Sequence, residues 1–207
     1  ISNCINSGIR NIFLLTQFNR VSLHQHSGAT CRFDQFSGGH VRILAAEQTP
    51  DSEGWFQGTA DAVRRSMRYF MDEEPDLVVI LSGDQLYRMD LPDIIESHVI
   101  SAADVTISTK PVVRQEAGEL GIMQVDERGR IVRFVEKPGD SPLLDELRAP
   151  LYDDELYLAN MGIYVFNMDV LKGLLCDNQE SDCGKHINPS AIDSHKVFGH
   201  IFEGYWE

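Results

Sequence analysis

Residues 76–90 read DLVVILSGDQLYRMD. Leu77–Leu81 is an unbroken apolar run of five, three of them β-branched. Such a run suits a strand covered on both faces, as in a parallel sheet flanked by helices. Ser82 and Gly83 end the run and leave Asp84 at its carboxyl end. In open α/β sheets that is the edge where ligands bind. A carboxylate there, behind a glycine that lets a ligand approach the backbone, is a candidate Mg²⁺ ligand facing the phosphates of a nucleotide. Ser-Gly-Asp is also ordinary turn chemistry, so the flanking stretches have to separate the two readings.

Upstream, Thr59 opens a helix. Ala60, Val63, Met67, Phe70 and Met71 share one face, and Asp61, Arg64, Arg65 and Arg68 fall mostly on the other. Thr59 reads as its N-cap, and Asp61 in the first turn suits the positive helix end. Before the helix come an apolar run at Val41–Ala46 and a loop, Thr49–Gln57, with the aromatic pair Trp55-Phe56. Strand, loop, helix, strand is a βαβ unit, which predicts that 41–46 and 77–81 run parallel with a right-handed crossover. Ile9–Thr16 predicts another strand behind a short helix ending at Gly8, and the polar stretch 17–39 a short helix and a loop.

Downstream, Leu91–Ser101 predicts a helix and Asp104–Lys110 a strand. Gly121–Val125 and Ile131–Val135 flank the turn Asp126-Glu127-Arg128-Gly129 and read as a hairpin. Gly139–Asp154 reads as a loop or lid. A strand at Tyr157–Phe166, a helix at Met168–Leu175, a helix near Pro189 and a strand through Ile201 follow. The expected fold is α/β and Rossmann-like: a mostly parallel twisted sheet, helices on both faces, and an added hairpin.

The chain has 207 residues, 43% hydrophobic and 24% charged, enough for one large domain. A net charge of −14 argues against general nucleic-acid binding. It leaves room for a small phosphorylated substrate, whose charge a few local cations and a metal offset. No apolar run approaches the ~20 residues that cross a bilayer, and no signal-peptide block opens the chain. A cytoplasmic protein is expected. Cys4, Cys31, Cys176 and Cys183 form no CxxC pair and read as reduced thiols. His24 and His26, in HQH, read as a solvated loop rather than a metal site. The chain begins without Met and stops in GYWE, as a piece of a longer protein would.

Several stretches then carry a resemblance: SNCINSGIRNIFLLTQF at 2–18, ILAAEQ at 43–48, GWFQGTADAV at 54–63 and SGDQLYRMD at 82–90. FVEKP at 134–138, NMGIYVF at 160–166 and EGYWE at 203–207 complete the set. Together they resemble the catalytic domain of sugar-phosphate nucleotidyltransferases. Within that family they resemble the ADP-glucose pyrophosphorylase (glucose-1-phosphate adenylyltransferase) branch, to which GTADAV behind an aromatic pair is specific. The likeness runs essentially end to end. The family's glycine-rich phosphate loop and carboxyl-terminal β-helix domain would lie outside the chain, as would a metal-binding aspartate after WE.

The resemblance implies that ATP and glucose 1-phosphate give ADP-glucose and pyrophosphate, with Mg²⁺ as cofactor and a homotetramer as the assembly. It makes Asp84 one of two carboxylates holding the metal, and Lys137 the contact to the phosphate of glucose 1-phosphate. Glu136 would accept hydrogen bonds from sugar hydroxyls, and Gly121 would let the backbone approach the sugar. Asn160 stands where the family usually has a sugar-binding serine. Gln48, Gly58 and Thr59 match nucleotide-side positions, and Phe56, implied as a substrate-binding residue, stands where many members have tyrosine. Leu120 replaces the usual aromatic. Without the resemblance, FVEKP reads as a strand leaving the sheet with a solvated charge pair, and Phe56 as a core aromatic. Three readings stay open: the ADP-glucose-forming enzyme, a related transferase using another base or sugar, and a catalytically poor regulatory subunit that binds nucleotide sugars. Retention of both Asp84 and Lys137 favours an enzyme over the third.

Overall fold

The computed structural model describes residues 1–17, 20–30, 33, 38–46, 54–149, 153–176 and 188–206. The order of elements is α1 (Ser2–Asn6), β1 (Asn11–Thr16), α2 (Arg20–Thr30), β2 (His40–Ala45), α3 (Thr59–Met71), β3 (Leu77–Leu81) and α4 (Leu91–Ile100). Then follow β4 (Val105–Val113), α5 (Arg114–Ala117), β5 (Gly121–Val125), β6 (Ile131–Glu136), α6 (Pro142–Asp145) and β7 (Arg148–Ala149). The chain continues through β8 (Asp153–Asn167), α7 (Met168–Cys176), α8 (Asn188–Ser194) and β9 (Val197–Ile201).

The expected α/β class stands, and the helices cover both faces. Alternation along β8 shows why. Tyr164 and Phe166 enter a cluster with Val63, Met67 and Phe70 of α3 and Leu171 and Leu175 of α7. Ile163 and Val165 enter another with Cys4 of α1 and Leu91 and Ile94 of α4. Successive side chains of a strand point to opposite faces, so each face of the sheet is filled by its own helices. A third cluster packs α5 and α6 on Ile122, Tyr157 and Ala159.

Pairing departs from expectation. Two of the ladders are parallel, β1 with β2 and β4 with β9. The other five, among them β3 with β8 and the hairpin β5 with β6, are antiparallel. The sheet is therefore mixed rather than mostly parallel. β2 pairs with β1 and β3 with β8, so no ladder among the described residues joins the two strands of the expected βαβ unit. They border the same two clusters: Leu44 of β2 and Val78 and Ile80 of β3 pack against the first, and Val41 of β2 and Leu77, Val79 and Leu81 of β3 against the second.

That arrangement corrects the reading of Leu77–Leu81 as buried. All five residues are only partly covered, because β3 has a strand hydrogen-bonded along one edge alone among the described residues. Apolar character follows what the side chains touch, and here each face has its helices but one flank lacks a paired strand.

Smaller corrections follow local chemistry. Gly58, not Thr59, occupies the cap of α3. Its carbonyl accepts the Ala62 N–H at 3.0 Å, while the Asp61 carboxylate reaches back to the Gln57 N–H at 3.0 Å. His24 and His26 lie in α2 rather than in a loop. Two apart on a helix, they do not face each other, and no cluster of three metal-ligating side chains occurs among the described residues. The supposed lid at 139–154 contains α6 and β7. Cys4 and Cys176 are free thiols; Cys31 and Cys183 lie outside the described residues. No described helix is long and apolar enough to cross a membrane.

Candidate active site

The sheet opens at one place. β4 lines one edge of β8. Along the other edge β3 ends at Leu81 opposite Ile163, and β5 pairs Ile122 with Ala159. Asn160, Met161 and Gly162 lie between, where neither strand covers β8. The register with β4 also slips here, from Ile107 opposite Tyr164 to Thr109 opposite Asn160. Bulges of this kind re-aim side chains and recur beside active sites.

Glycine is needed at the opening. Gly162 has φ +68°, and a Cβ there would stand 2.5 Å from Ser82 Oγ. This close approach lets Ser82 N–H donate to Gly162 O at 3.1 Å, and the chain beyond carries Asp84 past the end of the sheet. Asp84 is exposed. Its carboxylate has no hydrogen bond or ion pair among the described residues. Nearby, Gln85 Oε1 accepts the indole N–H of Trp206 at 3.0 Å, and Tyr87 bridges Trp206. Burial, with the Cys4 thiol second, pushes the Tyr87 phenol up to about 12, so it stays neutral.

Gly121 and Glu136 face each other across the β5–β6 ladder. A Cβ on Gly121 would stand 2.7 Å from both Glu136 Oε2 and the Phe134 ring. The missing side chain is what lets that carboxylate lie over the strand. Lys137 follows in a left-handed conformation, φ +46°, which residues with a Cβ adopt only where surroundings hold them. Here Lys137 N–H donates to Leu120 O at 3.1 Å and Gly139 N–H to Gly118 O at 3.0 Å. The Lys137 side chain is exposed, and its ammonium has no ion-pair partner among the described residues.

Asn160 is placed at the opening, but its amide is engaged. Oδ1 accepts the Gly162 N–H at 2.9 Å and Nδ2 donates to Tyr164 Oη at 2.9 Å. It braces the bulge. Gly121, Glu136 and Lys137 thus lie at the start of β5 and the end of β6, Asn160 on β8 beside them, and Asp84 beyond the end of β3.

Phe56 and the residues expected on the nucleotide side, Gly58 and Thr59, lie elsewhere, near the carboxyl end of β1. Gln17 Oε1 accepts the Phe56 N–H at 2.7 Å. The Arg65 guanidinium lies 5.2 Å from the centroid of the half-buried Phe56 ring and donates to Gly54 O and Trp55 O at 3.1 and 3.2 Å. Gly58 and Thr59 follow directly at the start of α3. Gln48 lies outside the described residues. Sequence reasoning had no role for Gln17, Arg65 or Trp206. Each acts through a partner remote in the chain, so no spacing pattern marks it.

The sequence pattern of one family, nucleotidyl transferase, matches residues 1–207. The chain belongs to that family. Nucleotidyl transfer asks for an activated nucleotide and an acceptor, here the sugar phosphate class, and both must be held against their own negative charge. Among the described residues, the carboxylate of Asp84 beyond β3 and the ammonium of Lys137 beyond β6 have no partner. Asp84 fits one ligand of a Mg²⁺ that takes its remaining oxygens from phosphates and water. The described residues supply no cage that would hold the ion alone.

Proposed function

We propose that this protein transfers the adenylyl group of ATP to α-D-glucose 1-phosphate, giving ADP-glucose and pyrophosphate, in the cytoplasm and as a homotetramer, for glycogen- or starch-type glucan synthesis. The observation that carries this reading is the carboxylate of Asp84 past the end of β3 and the ammonium of the left-handed Lys137 past the end of β6, neither with a partner among the described residues. A phosphate oxygen of the sugar phosphate attacks the α-phosphorus, and the bond to pyrophosphate breaks in line. Such chemistry asks the protein mainly for positioning and charge neutralisation.

Lys137 would neutralise the phosphate of the acceptor, as a compact point charge on a flexible stem. Glu136, over Gly121, would accept hydrogen bonds from sugar hydroxyls and so fix the ring. Gln48, Gly58 and Thr59 would form the nucleotide side, with Phe56 beside them among the substrate contacts and ATP favoured by the GTADAV pattern. Asp84 would hold a Mg²⁺, which when bound spreads the charge developing on the phosphates.

A second reading has its own support. The Asn160 amide is occupied by Gly162 and Tyr164, where the family usually offers a serine to glucose. This favours a transferase with another sugar. Pyrophosphate release, measured with four nucleoside triphosphates against glucose, mannose, galactose and N-acetylglucosamine 1-phosphates, tests both. ATP with glucose 1-phosphate should be the best pair by at least about tenfold. Another sugar in first place would install the second reading, and no release from any pair would defeat both.

A further inference from the structure

We propose that Arg114 is a positioning residue for Lys137. Its guanidinium ties the segment following Lys137 to the sheet, so that the ammonium meets a sugar phosphate at a fixed place. The proposal rests on the role given to Lys137 above.

Arg114 stands directly behind β4, as the first residue of α5. Its Nε and Nη2 donate to Asp140 Oδ1 at 3.1 and 2.9 Å, and its Nη1 donates to Asp145 Oδ1 at 2.7 Å. The same Nη1 lies 3.2 Å from Tyr157 Oη. Asp140 precedes α6 and Asp145 ends it, so one side chain spans the segment beyond Lys137 at both ends. Tyr157 is 2% exposed and anchors the arrangement in β8. Arg148 Nη2 adds a bond to Asp145 Oδ1 at 3.1 Å.

The need for this tie comes from the backbone. Lys137 N–H is bonded to Leu120 O, and two residues further on Gly139 N–H is bonded to Gly118 O. Beyond it, Ser141 Oγ donates to Pro138 O at 2.9 Å, a contact within the turn itself. Past Gly139 the main-chain bonds of 141–147 among the described residues are local, and without a tether there the left-handed Lys137 would be held less firmly in its uncommon conformation. Arg114 supplies that tether to the sheet.

Exposure bounds the effect. The Asp140 side chain is 87% exposed, and an isolated pair of that kind contributes little. The shared Asp145 and the buried tyrosine make a network, which holds better than separate pairs. Hydrogen bonds from Arg148 first and Arg114 second keep the Asp145 carboxyl below its usual range. Only a planar fork can donate in these directions together, so lysine is no substitute.

The test compares Arg114→Gln, Arg114→Lys and Lys137→Ala in the whole protein by steady-state kinetics and backbone amide exchange. Arg114→Gln should raise KM for glucose 1-phosphate about fivefold and leave KM for ATP within about twofold. It should speed exchange at the Lys137 and Gly139 amides. Arg114→Lys should show the same defects despite its charge. Adding Asp145→Asn to Arg114→Gln should cost nearly nothing more, since both break one network. Unchanged exchange in Arg114→Gln overturns the proposal, as does an equal rise in both KM values. Lys137→Ala separates the two levels. If it raises the sugar-phosphate KM while Arg114→Gln does not, the positioning role alone falls. If it changes nothing, the role of Lys137 falls and the proposal with it.

Discussion

The turn carrying Lys137 and the loop carrying Phe56 are held in opposite ways. The turn grows out of a hairpin whose strands are neighbours in the chain, and main-chain bonds to Gly118 and Leu120 set its path. The loop at 54–58 hangs on side chains reaching from elsewhere: Gln17 from the end of β1, and Asp61 and Arg65 from α3. A main-chain bond survives replacement of the residue that makes it, whereas a side-chain tether goes with its residue. Arg114 apart, the scaffold of the proposed acceptor side should therefore tolerate substitution better than that of the proposed nucleotide side.

The largest effect should ignore that boundary. Asp84→Asn leaves both tethers intact and removes the free carboxylate beyond β3, so kcat should fall 10²-fold or more while nucleotide still binds. Near-normal turnover at saturating Mg²⁺ would dismiss the metal role.

Next comes Lys137→Ala, expected to raise KM for glucose 1-phosphate about tenfold and to leave ATP unaffected, as loss of a contact present in ground and transition states does. Lys137→Gly sharpens the point. It should share the kinetic defect yet be more stable than Lys137→Ala by about 1 kcal/mol, because glycine accepts the left-handed conformation freely. Equal melting temperatures for the two variants would mean that the turn stores no strain.

Gln17→Leu or Arg65→Ala should raise KM for ATP about three- to fivefold with the acceptor KM unchanged, since each strips a loop tether worth about 1 kcal/mol net. If the acceptor KM moved equally, the two sides would not be separately held and the comparison would fail.

The smallest effect concerns acid. The Asp145 carboxyl is held down by Arg148 and Arg114. A carboxylate with a depressed folded pKa gives stability that is complete above its ordinary value of about 3.9 and is lost as pH falls through the folded value. Protection of the Lys137 amide should therefore stay flat from pH 7 to 5 after correction for intrinsic exchange. A drop above pH 5 would show that another group holds the turn.

Much of this was legible in advance. The 3,4-spacing of Ala60, Val63, Met67 and Phe70 returned as the buried face of α3, and the Asp126–Gly129 turn returned between β5 and β6. Asp84 does stand past the end of a strand. In each case the pattern and the structure it forms lie within a dozen or so residues, where backbone geometry and side-chain alternation act directly.

The sequence by itself determined most of the longer strands and helices though not α5, α6 or β7, the apolar faces of several, and that a carboxylate and a lysine follow two of those strands. Only the tertiary structure decided that β3 lies antiparallel against β8 with one flank unpaired, because an apolar run states a demand for cover and not which strand supplies it. It alone parted β3 from β5 along β8 at Asn160–Gly162. It also gave work to Gln17, Arg65 and Arg114, which look like solvated polar residues when read along the chain. Their partners lie up to 43 residues away, as between Arg114 and Tyr157, and such contacts form only once the sheet has closed the intervening loop.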